Sequence, residues 1–102
     1  MKVKLSVLIP AYNEEKRIGL TLERTVDYLG RQPWTSEVLV VDDGSADATA
    51  IRVGEWADAT VPVRLVSNPG NRGKGYSIRH GLAEATGRFA GFMDADYKTE
   101  IS

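Results

Sequence analysis

The sequence predicts an α/β domain built on a doubly wound parallel sheet of strand order 3-2-1-4. Three observations carry that prediction. Four apolar runs alternate with three helical patterns along the 102 residues, the rhythm of consecutive β-α-β units. The first run is apolar at successive positions rather than only at every second one, as strands covered on both faces are. Each run is followed at its carboxyl end by a polar cluster, which is where open parallel sheets bind ligands.

The elements follow in order. Leu5-Ser6-Val7-Leu8-Ile9 is the first strand. Glu14 to Gly30 reads as a helix, because Ile18, Leu22, Val26 and Leu29 recur at helical spacing on one face. Gly30 and Pro33 stop it. Glu37 to Val41, rich in valine, is the second strand. Ser45 or Asp47 caps a second helix that runs to about Ala57, with Ala48, Ile51 and Trp56 as its apolar stripe. Val63 to Val66 is the third strand. A glycine-rich loop from Asn68 to Gly75 leads into a third helix, whose Ile78, Leu82 and Ala85 share a face and whose end is marked by Gly87. Phe89 to Met93 is the fourth strand, expected to be buried.

Composition narrows the function classes. The net charge of −1 gives no basic footprint for nucleic acid. No window reaches the roughly 18 apolar residues that span a bilayer. The apolar run after Met1-Lys2-Val3-Lys4 is too short for a secretory signal. Cysteine is absent, so there is no disulfide or thiolate metal site, which suits a reducing compartment and sets a cytoplasmic expectation. His80 is the single histidine. A metal here must therefore rest mainly on oxygen ligands, which favours magnesium, manganese or calcium over structural zinc.

Four clusters carry the chemistry. In Asp94-Ala95-Asp96 two carboxylates at a strand end are placed to turn toward a divalent ion that bridges to phosphate. Such a pair also occurs in solvated turns; the convergence of four strand ends favours the metal. In Asp42-Asp43-Gly44-Ser45, Asp43 is the group to accept a hydrogen bond from a base or ribose. Gly44 allows the tight turn, Ser45 is a helix cap and Asp42 a structural acceptor. In Pro10-Ala11-Tyr12-Asn13-Glu14 the Tyr12 ring either stacks on a base or packs at the core edge. Glu14 and Glu15 suit a helix N-terminus without any ligand. Asn71-Arg72-Gly73-Lys74-Gly75 joins glycines and two cations to a helix start, a plausible phosphate contact. It is not a Walker loop, since Asn68 and Gly75 stand where glycine and Ser or Thr are required, nor a dinucleotide fingerprint, since Ile78 replaces the third glycine. His80 reads as a surface or packing residue.

Together these segments resemble family 2 (GT-A type) glycosyltransferases over essentially the whole chain. Leu8 to Glu15 resembles that family's opening segment, Val40 to Ser45 its base-binding segment, Asn71 to Leu82 its mid-domain loop and helix, and Met93 to Asp96 its Asp-x-Asp motif. Within the family the last two are most similar to dolichyl-phosphate glucosyl- and mannosyltransferases. The resemblance implies transfer of a sugar, with inversion, from a nucleoside diphosphate sugar of the UDP-glucose or GDP-mannose type to a lipid phosphate. It implies that Pro10 and Tyr12 border the base, that Asp43 bonds it, and that Arg72 and Lys74 lie near base and phosphates. It implies Asp94 facing ribose or sugar and, with Asp96, a magnesium or manganese ion. Lys98, where related polyprenol-phosphate enzymes often carry a neutral polar residue, departs from the pattern.

The family's domain continues well beyond Asp96, so the expectation for residues 1–102 is an N-terminal nucleotide-sugar-binding half. The general base and acceptor site are expected after Ser102, and the intact protein at the cytoplasmic face of a membrane. The outer edge of the fourth strand, with Phe89, Phe92 and Met93, is expected to drive self-association. Competing readings are a sugar-nucleotide nucleotidyltransferase, which would place a glycine-rich loop with arginine after the first strand, and a non-catalytic nucleotide-binding module.

Overall fold

The computed structural model describes residues 2–95. Its strands are β1 (Leu5–Ala11), β2 (Ser36–Asp42), β3 (Val63–Ser67) and β4 (Phe89–Phe92), all parallel in the order β3-β2-β1-β4, as predicted. The helices α1 (Ile18–Gly30), α2 (Thr49–Gly54) and α3 (Lys74–Glu84) make the crossovers. The register sets Ala11 opposite Asp42 and Asp42 opposite Ser67. Residues that leave these three strands therefore emerge side by side at one edge.

Burial explains why these segments are strands. β2 is buried at all seven positions, with Val38, Leu39, Val40 and Val41 fully enclosed. On one face of the sheet Ile9, Val38 and Val40 pack against Ile18, Leu22, Val26 and Leu29 of α1 and Val53 of α2. The predicted stripe of α1 is thus the buried one. The helix itself starts four residues later than expected. The N–H groups of Asn13, Glu14 and Glu15 are taken by side chains of the 45–49 loop, and Arg17 and Ile18 both bond back to the Glu14 carbonyl.

Three expectations are corrected. In the second helical segment Trp56 packs against the core as expected, but the buried residues of α2 are Thr49 and Val53, while Ile51 is 68% exposed. The helix ends at Gly54 and continues as tighter i→i+3 turns through Ala59. On the other face, α3 buries Ser77 and Gly81, not Ile78, Leu82 and Ala85. A β-carbon at Gly81 would come within 2.6 Å of Leu8 Cδ2 and 3.0 Å of Val41 Cγ2. The helix lies so close to the sheet that only its smallest residues fit the contact, and hydrophobic periodicity does not see that. Finally, β4 is exposed at all four positions, and among the described residues only β1 flanks it, so the strand is not buried. Phe89 and Phe92 do present the apolar surface expected at this edge.

The opposite end of the sheet is stapled by Glu37. Its buried carboxylate accepts hydrogen bonds from Ser6 Oγ at 2.7 Å and from Thr86 N and Oγ1 at 2.8 and 2.9 Å. Burial pushes its pKa up, but those bonds and the Arg64 charge outweigh burial and leave it below the usual glutamate value.

Candidate functional site

A cleft of about 230 Å³ opens at the carboxyl edge of the sheet, over the exits of β1, β2 and β4 and the first turn of α3. Five of the residues singled out from the sequence line it: Pro10, Tyr12, Asp43, Lys74 and Asp94. Ala11, Glu14, Ser77 and Ala95 complete the wall. Arg72 does not line it. Its Nε donates to the Pro69 carbonyl at 2.9 Å and its guanidinium lies 5.9 Å from the centre of the Tyr76 ring.

Asp43 is the most constrained group in the cleft. It is 7% exposed. Oδ1 accepts from Asn68 Nδ2 at 2.8 Å and from the Arg72 N–H at 2.7 Å, and Oδ2 accepts from the Gly73 N–H at 2.9 Å. Burial disfavours its charge, yet the bonds from Arg72, Asn68 and Gly73, with the Arg72 charge, more than reverse that and hold its pKa below the usual aspartate value. It is therefore ionised at neutral pH. A carboxylate offers about four acceptor sites; three are filled from within, which leaves Oδ2 room for one donor.

This arrangement corrects the reading of the 71–75 loop. The N–H groups ahead of α3 do hold an anion, as the sequence suggested, but the anion they hold is Asp43. The turn that brings them there depends on Gly44, at φ +77°, whose missing β-carbon would sit 2.7 Å from the Gly70 carbonyl carbon.

A second set of bonds locks the β1 exit to the β2 exit. Asn13 N–H donates to Ser45 Oγ at 2.8 Å, and Asn13 Oδ1 accepts from the Ala46 N–H at 2.8 Å. Glu15 Oε1 accepts from the Ala48 N–H at 2.8 Å, while Asp47 Oδ1 accepts from the Thr49 N–H at 2.9 Å. So Ser45 is a brace for Asn13 rather than a cap. Asp47 and, across the chain, Glu15 serve the start of α2. Asn13 itself has φ +53°, a conformation that asparagine tolerates better than most residues.

Asp94 is of another kind. It lies in the open, and its Oδ1 is 3.4 Å from Lys74 Nζ. The next residue explains its direction. Ala95 is buried in the core beside α1, and its carbonyl accepts from Thr21 Oγ1. A small middle residue anchors the segment inward and leaves Asp94 at the cleft. Asp96, the other expected metal ligand, and Lys98 lie outside the described residues. Among the described residues no three His, Cys, Asp or Glu side chains gather into a metal cluster. Sequence reasoning missed Ser77, for which a short polar residue early in α3 was the only signal, and read Asn68 only as the polar residue at the third strand's exit that opens the glycine-rich loop.

Comparison with known proteins places this geometry. Residues 6–99 match the family model described as Glycosyl transferase family 2. A dolichyl-phosphate beta-glucosyltransferase of Trichomonas vaginalis is 42% identical over 106 residues, covering 99% of this chain and 32% of the relative. The solved structure of S. aureus TarS in complex with UDP-GlcNAc has a TM-score of 0.81 and 32% identity over 92% of this chain and 27% of that one. Mannosyltransferase PcManGT from Pyrobaculum calidifontis, in complex with GDP-Man and Mn2+, has a TM-score of 0.73 and 31% identity over 94% of this chain and 28% of that one. The chain thus spans about a third of the length of the curated relatives it matches.

Proposed function

We propose, from the premise that the chain belongs to glycosyl transferase family 2, that it forms the donor-binding part of an inverting glycosyltransferase. The donor is a nucleoside diphosphate sugar and the acceptor a dolichyl or other polyprenyl phosphate. The observation that carries this reading is the ionised, clamped Asp43 with one open acceptor site, in a cleft it shares with Tyr12 and Lys74. An exposed aromatic ring at a strand exit suits the face of a base, with Pro10 beside it. Asp43 then accepts a base N–H. Lys74 offers its ammonium to the diphosphate, and Arg72, outside the cleft wall, supplies longer-range positive charge. Asp94 faces the ribose or sugar. Names of relatives support the chemistry: one is a dolichyl-phosphate beta-glucosyltransferase, and two structural neighbours hold UDP-GlcNAc or GDP-Man.

The donor set fits a hard divalent ion. Asp94 is an exposed carboxylate at the mouth of the cleft, and magnesium-type ions are commonly held by one or two carboxylates together with substrate phosphates and water. Asp94 and Asp96 are the residues proposed to hold magnesium or manganese, which would neutralise charge on the departing nucleoside diphosphate. Lys74, 3.4 Å from Asp94, would then swing to the phosphates. A lipid phosphate already presents an anionic oxygen, so the acceptor attacks the anomeric carbon directly and inverts it. Any general base and the acceptor pocket are assigned to residues outside 2–95. Because such an acceptor sits in a membrane, we place the intact protein at a cytoplasmic membrane face.

Fluorescence titration with UDP and GDP, with and without manganese, tests the reading. Saturable binding of at least one, strengthened by manganese, is expected. Failure of both to bind at millimolar concentration would overturn it.

A further inference from the structure

The donor directions around Asp43 form a chain that begins on α3. His80 Nδ1 lies 2.7 Å from Asn68 Oδ1. Both N–H groups of the Asn68 amide are spent, one on Asp43 Oδ1 and one on Ser77 Oγ, each at 2.8 Å. The Ser77 hydroxyl donates its own proton to the Gly73 carbonyl at 3.0 Å, so it is left to accept from Asn68. Asn68 and Ser77 are buried. With both amide hydrogens committed, Asn68 Oδ1 has to accept, and His80 Nδ1 has to carry a proton. A flipped Asn68 amide would turn its oxygen toward the Asp43 carboxylate, two acceptors facing each other in a dry site.

We propose that His80 is a positioning residue for nucleotide recognition. It acts through Asn68, holding that amide in the one orientation that donates to Asp43 and so fixing where the open Oδ2 site points. The Tyr76 ring supports it, edge-on at 6.1 Å between centroids. The reach is from the outer part of α3, through a buried amide, to a carboxylate that lines the cleft. This rests on the reading of Asp43 as the base acceptor.

The chain has a single histidine, so the ring nitrogens can be observed without assignment ambiguity. Nitrogen-15 NMR at pH 8 is expected to show a protonated Nδ1; a bare Nδ1 overturns the proposal. His80→Leu removes the donor, whereas His80→Asn keeps one at the same number of bonds from the backbone. His80→Leu is expected to weaken UMP binding by about five- to tenfold, the loss of one hydrogen bond in the chain, and to shift the Arg72 and Gly73 amide resonances. His80→Asn is expected to restore both. Equal loss in the two variants, or no loss in either, overturns the positioning role. If the parent chain binds no nucleotide at all, the functional reading has failed, while the Nδ1 proton and the amide resonances still decide the chain from His80 to Asp43.

Discussion

Two strand exits of one sheet end in aspartate, and the protein treats them oppositely. At the β2 exit Asp43 is buried and receives three hydrogen bonds from the 68–73 segment. At the β4 exit Asp94 is about half exposed, and its partner is a lysine at 3.4 Å. The surroundings follow suit. β2 sits between two strands and is buried throughout, whereas β4, among the described residues, pairs only with β1 over four residues and is exposed throughout. A carboxylate that must meet a base at a fixed place gains from being pre-oriented. One that must turn between a lysine, an ion and a sugar gains from being free. On the proposed roles, the β2 side suits placement and the β4 side adjustment.

The largest expected effect separates the two sides by backbone alone. Gly44 has φ +77°, and a β-carbon there would meet Gly70 and Asn71 backbone atoms at 2.7 and 2.8 Å. Gly44→Ala should cost at least about 3 kcal/mol, because the left-handed strain and a clash with unyielding backbone add. Gly91, in β4, has nothing within 4 Å of such a carbon, and Gly91→Ala should change stability by no more than about 0.5 kcal/mol. Urea unfolding of both variants checks the contrast. Equal midpoints would mean that the β2 exit is not the rigid side.

Acid should act on the stapled carboxylates next. Glu37 and Asp43 both have depressed pKa values in the folded chain. The unfolded chain therefore takes up protons first as pH falls, so the stability these groups contribute is complete at neutral pH. It is lost below about pH 4, as the folded-state values are crossed. Glu37→Gln should cost about 1–3 kcal/mol at pH 7, since Ser6 and Thr86 lose a charged acceptor. It should also flatten the acid limb of the stability curve. An unchanged acid limb would remove Glu37 from that account.

Binding contrasts the same two aspartates. Asp43→Ala should weaken UMP binding about tenfold or more, with or without manganese, as expected when a charged hydrogen bond is lost. Asp94→Asn should leave metal-free binding within about threefold and reduce mainly the gain that manganese brings. Titration of both variants tests this. Reversed behaviour, with Asp94 governing metal-free binding, would exchange the proposed roles.

What the sequence made legible was whatever depends on local pattern. Strand order, the Ile18-Leu22-Val26-Leu29 stripe and the edge that holds the cleft all follow from periodicity and from polar residues placed after apolar runs. The misses at the site share one cause, a partner distant in the chain. Ser45 looks like a cap until Asn13 is beside it, 32 residues away. The 71–75 loop looks open to phosphate until Asp43 fills it, and Gly81 looks incidental until Leu8 is seen beneath it. Asn68 was legible as the polar residue after the third apolar run, but its tie to His80 was not, because that role lies only in the direction of hydrogen bonds.

The last effect, small on stability and the most informative about β4, concerns Phe89. Its side chain is 58% exposed, with the Arg88 guanidinium 5.8 Å from the ring centre. Little apolar area is recovered on folding, so Phe89→Ser should change the unfolding free energy by no more than about 0.5–1 kcal/mol. Among the described residues the outer edge of β4 has no strand beside it, and its main-chain groups match those of a second copy's β4. Together, an open edge and exposed Phe89 and Phe92 favour pairing of two chains through this side. Light scattering at micromolar concentration should therefore show a dimer or larger assembly for the parent chain and a lower mass for Phe89→Ser, at nearly equal urea midpoints. A parent chain that stays monomeric would show that the β4 edge is passive. A variant that loses 2 kcal/mol or more would show that Phe89 is part of the core, and that the adjustable side of the sheet is more firmly built than its exposure implies.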